Sequence, residues 1–438
     1  MKNSFFILFI IYGITGFISN GQTGPPDTVI TDLNSSIPNR TWQFSFIHLT
    51  DVHIGEGVSG GDYGTAGYDD VLTPSDYGLP AQNLSNTVKW INQNAARLKI
   101  KFVAVTGDLT RSGEKSEFMM FKQIADSLIV PYIPLMGNHE MWPYTDNAEA
   151  PAPNGDSLIN AIFADRFNML ATDFDNWNDG TRLTRTWNSE NNCYSYFQNY
   201  SFTYGNYLFF FGDFAPRAHA PLGYPGIGPE ADIMNFSGGT WQYIQQFVDS
   251  YPQRDTENMI FLSHYPLTKD PWALINAFSY GEYDNITKFL LNYSTSASAW
   301  VAGHIHRDSE YGVSTWTFSP SIVNGIETNS NKDVTNGHFR IIKVWDNYVD
   351  PHLGIEKQVN TSSVRIYPNP GTKNLTICQP DAKVKTRIEL FSSTGTKVFS
   401  GYIDSINYTI DTGTLTPGVY LIKVGTEHGI DVMKWIKY

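Results

Sequence analysis

Five short clusters of aspartate, asparagine, glycine and histidine recur along the chain, each directly after an apolar segment. They are Asp51-x-His53, Gly107-Asp108, Gly137-Asn138-His139, His264 and Gly303-His304-x-His306. Singly, each is typical of a loop, a turn or a core histidine, since glycine and asparagine are ordinary turn residues. Together and in this order they form a mixed nitrogen and oxygen ligand set, which suits Zn, Mn or Fe. These residue types therefore predict a metal centre.

Asp108 is the natural bridging ligand of such a centre, because a carboxylate has two oxygens and can contact two cations. Two cations that share it would lie about 3.5–4 Å apart, the separation used by two-metal hydrolases. A water between them loses its proton near neutral pH, and the resulting hydroxide attacks phosphorus while the cations neutralise phosphoryl charge. We therefore expect two divalent or trivalent metal ions as cofactors and hydrolysis of a phosphate ester as the reaction.

The apolar segments before the clusters predict the elements that position them. Strands over 42–49, 101–106 and 130–136 alternate with helices over 81–98 and 114–128, and this alternation predicts an α/β fold. Further strands are predicted over 207–211, 258–263 and 299–302. Ligands bind at the carboxyl ends of strands in such sheets, so we expect all the clusters at the rim of one parallel sheet.

The region 141–206 is rich in Asn, Asp, Trp and Tyr and lacks clear periodicity. It is interpreted as a long loop insertion near the site, because loops of this length are usually functional.

Composition excludes several other classes of protein. The chain has 438 residues, with 30 Lys plus Arg against 43 Asp plus Glu, and a net charge of −13. Such an acidic chain without a basic run offers nothing to a nucleic-acid backbone, so no polymeric nucleic acid is expected as a partner. Its 2 cysteines, Cys193 and Cys378, exclude a disulfide scaffold and lack the paired spacing of a zinc site.

The two ends of the chain differ from its middle in the pattern of their apolar residues. Residues 1–21 predict a signal peptide, because the apolar run from Phe5 to Ile18 is too short to span a membrane. A leader follows over 22–41, and the catalytic domain is placed at 42–357. Short β-type runs separated by turns over 358–438 predict a small β-sandwich.

The ordered clusters over 44–308 resemble the calcineurin-like metallophosphoesterase family. This resemblance implies a four-layer α/β/β/α sandwich. It also implies that Asp51, His53 and His306 hold one metal, that Asn138, His264 and His304 hold the other, and that Asp108 bridges both. His139 would be the catalytic residue, a histidine that contacts the substrate without binding metal and donates a proton to the leaving oxygen.

The expected substrate is a phosphorylated small molecule or a lipid headgroup. Arg111 stands where purple acid phosphatases carry tyrosine, which disfavours a charge-transfer iron site, and it either pairs with phosphate or forms a surface ion pair. One alternative is a phosphodiesterase specific for cyclic nucleotides or phospholipid headgroups. The other is a non-catalytic binding module that is stabilised by its metals; the intact set with His139 argues against it.

The end of the chain resembles the C-terminal sorting domain of type IX secretion. The features that carry the resemblance are Pro368-Asn369-Pro370, Gly418-Val419-Tyr420 and a basic terminus with Lys434 and Lys437. It implies export through the outer membrane, with type IX secretion machinery as a partner. The protein is then expected to be secreted or attached to the cell surface.

Overall fold

The computed structural model of the chain has two compact units, Met1–Asp350 and Pro351–Tyr438. The residues it describes are 24–56, 78–141, 155–189, 193–217, 230–251, 258–271, 276–293, 297–316, 320–346, 365–367, 371–378, 386–392, 396–403, 405–426 and 429–437. The predicted signal peptide and the predicted boundary at 357/358 lie outside these ranges. None of the described helices is long and apolar enough to cross a membrane.

The strands of the first unit form two main sheets. They are β1 (Asp27–Leu33), β2 (Thr41–Leu49), β3 (Ile100–Thr106), β4 (Tyr132–Leu135), β5 (Asp175–Asn178), β6 (Thr186–Asn188), β7 (Cys193–Ser195), β8 (Tyr200–Tyr204), β9 (Tyr207–Gly212), β10 (Asn258–Ser263), β11 (Ala297–Ala302), β12 (Ser309–Val313), β13 (Val323–Glu327) and β14 (His338–Asp346). The first sheet has the order β1-β14-β2-β3-β4, and the second has the order β12-β13-β11-β10-β9-β8-β5. Strands β2, β3 and β4 are mutually parallel, as are β9, β10, β11 and β13.

Helices cover the outer faces of both sheets. They are α1 (Gly78–Asn94), α2 (Lys115–Ala125), α3 (Asn138–Met141), α4 (Gly155–Ile162), α5 (Ala164–Asp173), α6 (Thr240–Ser250) and α7 (Tyr280–Asn292). Helix α1 buries Leu84, Val88 and Ile91, which recur at helical spacing, in the same core as the first sheet. Helices α6 and α7 bury their apolar faces in a second core with the other sheet.

Strand β9 shows why the sheets pack face to face. Its alternate residues point in opposite directions, so Phe209 and Phe211 enter the first core while Leu208 and Phe210 enter the second. Across the sheets the rings of Phe46 and Phe209 lie 5.4 Å apart, edge to face. The unit is therefore the expected four-layer α/β/β/α sandwich, and strands buried on both faces give the continuous apolar runs seen in the sequence.

Two sequence-based expectations are corrected by this unit. Part of the 22–41 leader is a strand, because Asp27–Leu33 pairs in parallel with the edge of β14 and buries Thr31 and Leu33. The 141–206 loop insertion contains α4, α5 and four short strands in its described parts. Ile159, Phe163 and Phe167 recur four residues apart and are buried, a helical pattern that the surrounding Asn and Asp residues obscure.

The second unit is all β, as expected. Its strands are β15 (Arg365–Tyr367), β16 (Asn374–Cys378), β17 (Thr386–Ser392), β18 (Lys397–Ile403), β19 (Asn407–Asp411), β20 (Gly418–Thr426) and β21 (Gly429–Lys437). They form one sheet in the order β15-β16-β19 and another in the order β18-β17-β20-β21. Residues of both sheets, including Ile377, Leu390 and Trp435, share one core, which is the arrangement of a small sandwich.

Candidate metal centre

The predicted site residues lie at the carboxyl ends of five strands. Asp51 and His53 follow β2, Asp108 follows β3 and Asn138 follows β4, all in the first sheet. The second sheet supplies the rest: His264 after β10, and His304 and His306 after β11. The expectation of a single sheet rim is therefore wrong. The ligand set spans two packed sheets, because strand periodicity does not reveal which strands pair with one another.

The backbone at these strand ends is unusual. Asp51, His53, Asp108, His304 and His306 all have left-handed φ values, between 51° and 69°. In residues other than glycine such a conformation costs about 1–3 kcal/mol and tends to cluster at functional sites. The strain shows that the fold holds these five side chains in directions that a relaxed strand end does not provide.

Hydrogen bonds between the strand ends maintain this conformation. The amides of Asp51 and His53 donate to the carbonyls of Gly107 (3.2 Å) and Asp108 (2.9 Å). The amide of His304 donates to Oδ2 of Asp51 at 2.9 Å and joins the two sheets. At Gly107, where φ is 92°, a Cβ would lie 2.7 Å from Nδ1 of His264, so glycine is required for this close approach.

One group of ligand atoms surrounds Asp51. Asp51, His53 and His306 each present one such atom, all within 4.8 Å of one another. Nε2 of His306 lies 3.1 Å from Oδ1 of Asp51, and Nε2 of His53 lies 3.8 Å from the same oxygen. This is the trio predicted to hold the first cation.

A second group surrounds Asp108 and contains His264 and His304. Nε2 of His264 lies 3.3 Å from Oδ2 of Asp108, 3.0 Å from Oδ1 of Asn138 and 3.1 Å from Nδ1 of His304. Nε2 of His53 is 3.4 Å from the same Asp108 oxygen. Asp108 thus lies between the two groups, the place its predicted bridging role requires.

The electrostatics of the cluster favour positive charge. Burial alone would raise the pKa of Asp51 and Asp108, but the histidines around them hold both values well below the ordinary range. Burial alone would lower the pKa of the facing imidazoles, but Asp108 raises that of His264 to about 9 and Asp51 raises that of His306 to about 10. Protons on the imidazoles thus balance the buried carboxylates, and a metal cation would displace those protons on binding.

The surroundings of His53 indicate whether the predicted ligands fit a metal ion. It is 2% exposed, and among the described residues neither of its ring nitrogens has a hydrogen-bond partner. A buried polar atom left unsatisfied is costly, and its presence calls for a specific explanation such as an unseen ion. A cation coordinated by Nε2, which faces Asp51 and Asp108, satisfies one of these nitrogens, so the donor set fits.

His139 lies beside the cluster, and one of its ring nitrogens forms a third group of possible ligand atoms with His53 and Asp108. Its Nδ1–H donates to the carbonyl of Arg111 at 2.7 Å, so Nε2 faces Asp108, 3.8 Å from Oδ2. Its ring centroid is 4.3 Å from that of His53. Burial lowers its pKa well below the ordinary range. The imidazole is thus neutral at rest, with its lone pair directed at the centre.

Glu140 was not singled out from the sequence, although it follows His139 directly. Its buried carboxylate accepts from the amides of Gly137 (2.7 Å), Asp108 (2.9 Å) and Thr110 (2.9 Å), and from the Thr110 hydroxyl (2.9 Å). Burial and the charge of Asp108 raise its pKa to about 7. Glu140 thereby ties the loops after β3 and β4 together.

Each predicted histidine ligand also faces a further partner that the sequence did not indicate. Nδ1 of His306 contacts Asp333 (2.6 Å), and Nδ1 of His53 faces Glu56 (3.6 Å). Nδ1 of His264 donates to the Thr106 carbonyl (2.8 Å). Nε2 of His304 contacts the carbonyl of Asn276 (2.5 Å) and Oε2 of Glu230 (3.2 Å). Such outer partners fix the orientation of metal-binding imidazoles.

Several solved structures are distantly similar to this chain. A purple acid phosphatase, PPD1, from yellow lupin is 13% identical, with 91% of this chain and 55% of that one covered, at a TM-score of 0.38. A putative 5′-nucleotidase from Staphylococcus aureus is 15% identical, with 75% and 60% covered, at 0.31. PorZ, a surface component of the type IX secretion system of Porphyromonas gingivalis, is 14% identical, with 24% and 14% covered, at 0.16. This chain thus spans less than two thirds of each, and no curated protein sequence matches it.

Two protein-family models match separate regions of the chain. Residues 365–438 match the secretion system C-terminal sorting domain, which implies secretion or attachment to the cell surface. Residues 44–308, which contain every residue of the predicted metal centre, match the calcineurin-like phosphoesterases. The match covers more than half of the chain, and the chain therefore belongs to the calcineurin-like phosphoesterase family.

Proposed function

We propose that this protein is an exported hydrolase of phosphate esters that works with two bound cations. The observation that carries the proposal is the convergence of seven predicted ligands from two sheets, with Asp108 between them. One cation would be held by Asp51, His53 and His306, the other by Asn138, His264 and His304, and both by Asp108. Zn, Mn and Fe all suit this donor set.

Two bound cations would activate water and neutralise charge on the phosphoryl oxygens. The chain contributes the geometry: strained strand ends fix the ligand directions, and Glu140 fixes the loop that presents Asn138 and His139. Rigid positioning matters because a preorganised site needs no rearrangement at the moment of reaction.

His139 is proposed as the proton donor to the leaving oxygen. With Nδ1–H bonded to the Arg111 carbonyl, only Nε2 is directed towards the reacting groups. Burial keeps the imidazole neutral, so we expect it to gain a proton when a bound anionic phosphate stabilises the charged form. The proton then passes from Nε2 to the departing oxygen.

A phosphodiesterase is the second candidate, and one contact favours it. Glu56, which faces His53, pairs with two cationic side chains, Arg111 at 3.5 Å and Lys332 at 3.0 Å. Both charges are thereby already partly neutralised. A diester carries one negative charge fewer than a monoester dianion, so it needs less balancing positive charge from these side chains.

We further propose that residues 1–21 are a cleaved signal peptide and that type IX secretion machinery recognises the C-terminal unit. The match of residues 365–438 to a sorting domain supports export. Catalysis is assigned to the first unit, because all of the predicted ligands lie there.

A substrate panel on the metal-reconstituted full chain tests the proposal. It covers p-nitrophenyl phosphate, bis-p-nitrophenyl phosphate, cyclic AMP, nucleotides and sphingomyelin, each with Zn, Mn or Fe. Turnover that disappears on chelation and returns with one of these metals supports a metal-dependent hydrolase, and the ranking separates monoesterase from diesterase. Two bound cations without turnover of any ester would instead support the non-catalytic binding module.

A further inference from the structure

Lys332 lies beside the predicted centre although it follows the family-matched region by more than 20 residues. Its backbone is fixed there: the Lys332 amide donates to the carbonyl of Asp51 at 3.3 Å, and the hydroxyl of Ser330 donates to the same carbonyl at 3.1 Å. The side-chain amide of Asn83, on α1, donates to the Lys332 carbonyl at 3.1 Å. The loop after β13 is thus bound to the strand end that carries Asp51.

The ammonium of Lys332 joins two carboxylates. Nζ lies 3.0 Å from Oε1 of Glu56 and 2.8 Å from Oδ1 of Asp333, and the side chain is only 12% exposed. The second oxygen of each carboxylate faces a histidine: Oε2 of Glu56 lies 3.6 Å from Nδ1 of His53, and Oδ2 of Asp333 lies 2.6 Å from Nδ1 of His306. Both histidines belong to the trio around Asp51.

We propose that Lys332 is a positioning residue for one of the two cation sites, the one formed by Asp51, His53 and His306. The inference rests on the proposed function, since it assumes that this trio binds a cation. One ammonium holds both outer carboxylates: it orients His306 through the 2.6 Å contact with Asp333, and it keeps Glu56 facing Nδ1 of His53, 3.6 Å away. The carboxylates are partly exposed, with side chains 33% exposed at Glu56 and 43% at Asp333. Without Lys332, Asp333 would lose its only lysine partner among the described residues, and Glu56 would keep only the longer 3.5 Å contact with Arg111 as a cationic partner there.

The loss of Lys332 should weaken only the Asp51 site, because the histidines of the other site are held by backbone carbonyls. Nδ1 of His264 is held by the backbone carbonyl of Thr106, and Nε2 of His304 by that of Asn276. Neither carbonyl depends on Lys332. Loss of an outer partner typically weakens metal binding by about 10–100-fold, so this is the loss expected at the Asp51 site.

The test uses the chelator-stripped full chain and its variants K332M and K332R. Zn²⁺ and Mn²⁺ are titrated by calorimetry, the bound metal is counted by mass spectrometry, and thermal unfolding shows that each variant is folded. Lys332→Met keeps the apolar stem and removes the charge. We expect it to bind one cation as the wild type does and the other about 10–100-fold more weakly. Lys332→Arg keeps a cation for both carboxylates, and we expect it to recover most of the lost affinity.

Lys122 on α2 provides a matched control. Its Nζ joins two carboxylates in the same way, Asp126 at 2.6 Å and Asp165 at 3.0 Å, and its side chain is 16% exposed. Lys122→Met should leave both cation affinities at the wild-type value, because neither carboxylate is a predicted ligand or outer partner.

Four outcomes decide against the proposal. Wild-type affinity at both sites of K332M, an equal loss at both sites, or an equal effect of K122M would each overturn the role of Lys332 while the proposed function stands. A wild-type chain that binds none of Zn²⁺, Mn²⁺ and Fe²⁺, the last titrated without oxygen, would overturn the metal-dependent function itself, and the positioning role with it.

Discussion

The two predicted cation sites are built from similar ligands but oriented by different means. Around Asp51, both histidines face carboxylates near the surface, Glu56 and Asp333. Around Asn138, the histidines His264 and His304 face backbone carbonyls, and His304 also faces the carboxylate of Glu230 at 3.2 Å. A carbonyl is held by the strand or loop that contains it, whereas a carboxylate needs its own partner. We therefore expect the site at Asp51 to be the more sensitive to single side-chain changes, because each imidazole of the other site has a backbone carbonyl as a partner.

Replacing Asp108 should produce the largest effect, because this predicted ligand is shared by both sites. Asp108→Asn replaces one carboxylate oxygen with an amide nitrogen, which bridges cations poorly. We expect both cations to be lost together, with a decrease in activity beyond the roughly 100-fold upper limit typical of outer partners. Metal analysis alongside kcat/KM checks this. Full occupancy of both sites would contradict the bridging assignment.

Replacing His139 distinguishes a role in proton transfer from a role in metal binding. His139→Ala should reduce kcat by about 10²–10⁴-fold, the usual contribution of a general acid, with the bound metal unchanged. Steady-state kinetics on protein of measured metal content provide the test. Unchanged turnover would remove His139 from the mechanism, and lost metal would make it a ligand instead.

Replacing Asp333 tests directly whether the two predicted cation sites depend on different kinds of outer partner. Asp333→Ala removes the carboxylate behind His306, and we expect about 10–100-fold weaker binding at the Asp51 site only. Asp165→Ala is the matched control, an exposed carboxylate that also pairs with a lysine but faces no imidazole of the cluster. Calorimetric titration should resolve one weakened site, and two equally weakened sites would contradict the distinction between them.

Glu140 should affect stability more than affinity, so its effect on metal binding and turnover is the smallest expected. Glu140→Gln places an amide NH₂ against donors that the carboxylate now accepts. Losing hydrogen bonds to a charged group should lower the free energy of unfolding by about 1.5–3 kcal/mol. Urea unfolding followed by tryptophan fluorescence measures this, and a variant as stable as the wild type would show that the loops after β3 and β4 hold without this carboxylate.

The elements around the predicted ligands were predictable because their apolar patterns are long and regular. The strands that carry the ligands and the helices α1 and α2 were expected within a few residues of their observed bounds. Elements away from the predicted ligands were not predicted, among them the strands β1, β12, β13 and β14 and the helices α4 to α7. β1 has only three apolar residues among seven and is stabilised by pairing with β14, and the apolar spacing of α4 and α5 is interrupted by Asn and Asp.

The sequence by itself determined the types of the predicted ligands and their order, because each cluster directly follows an apolar strand. The tertiary structure alone decided that these ligands come from two sheets and which groups stand behind them. Lys332 meets Glu56 across 276 positions of chain, and Asp333 meets His306 across 27. No local pattern encodes such contacts, because they arise only when two sheets pack and separate loops reach the same edge. The physical reason is that strand periodicity sets which face a residue occupies, but not which distant strand or loop lies opposite it.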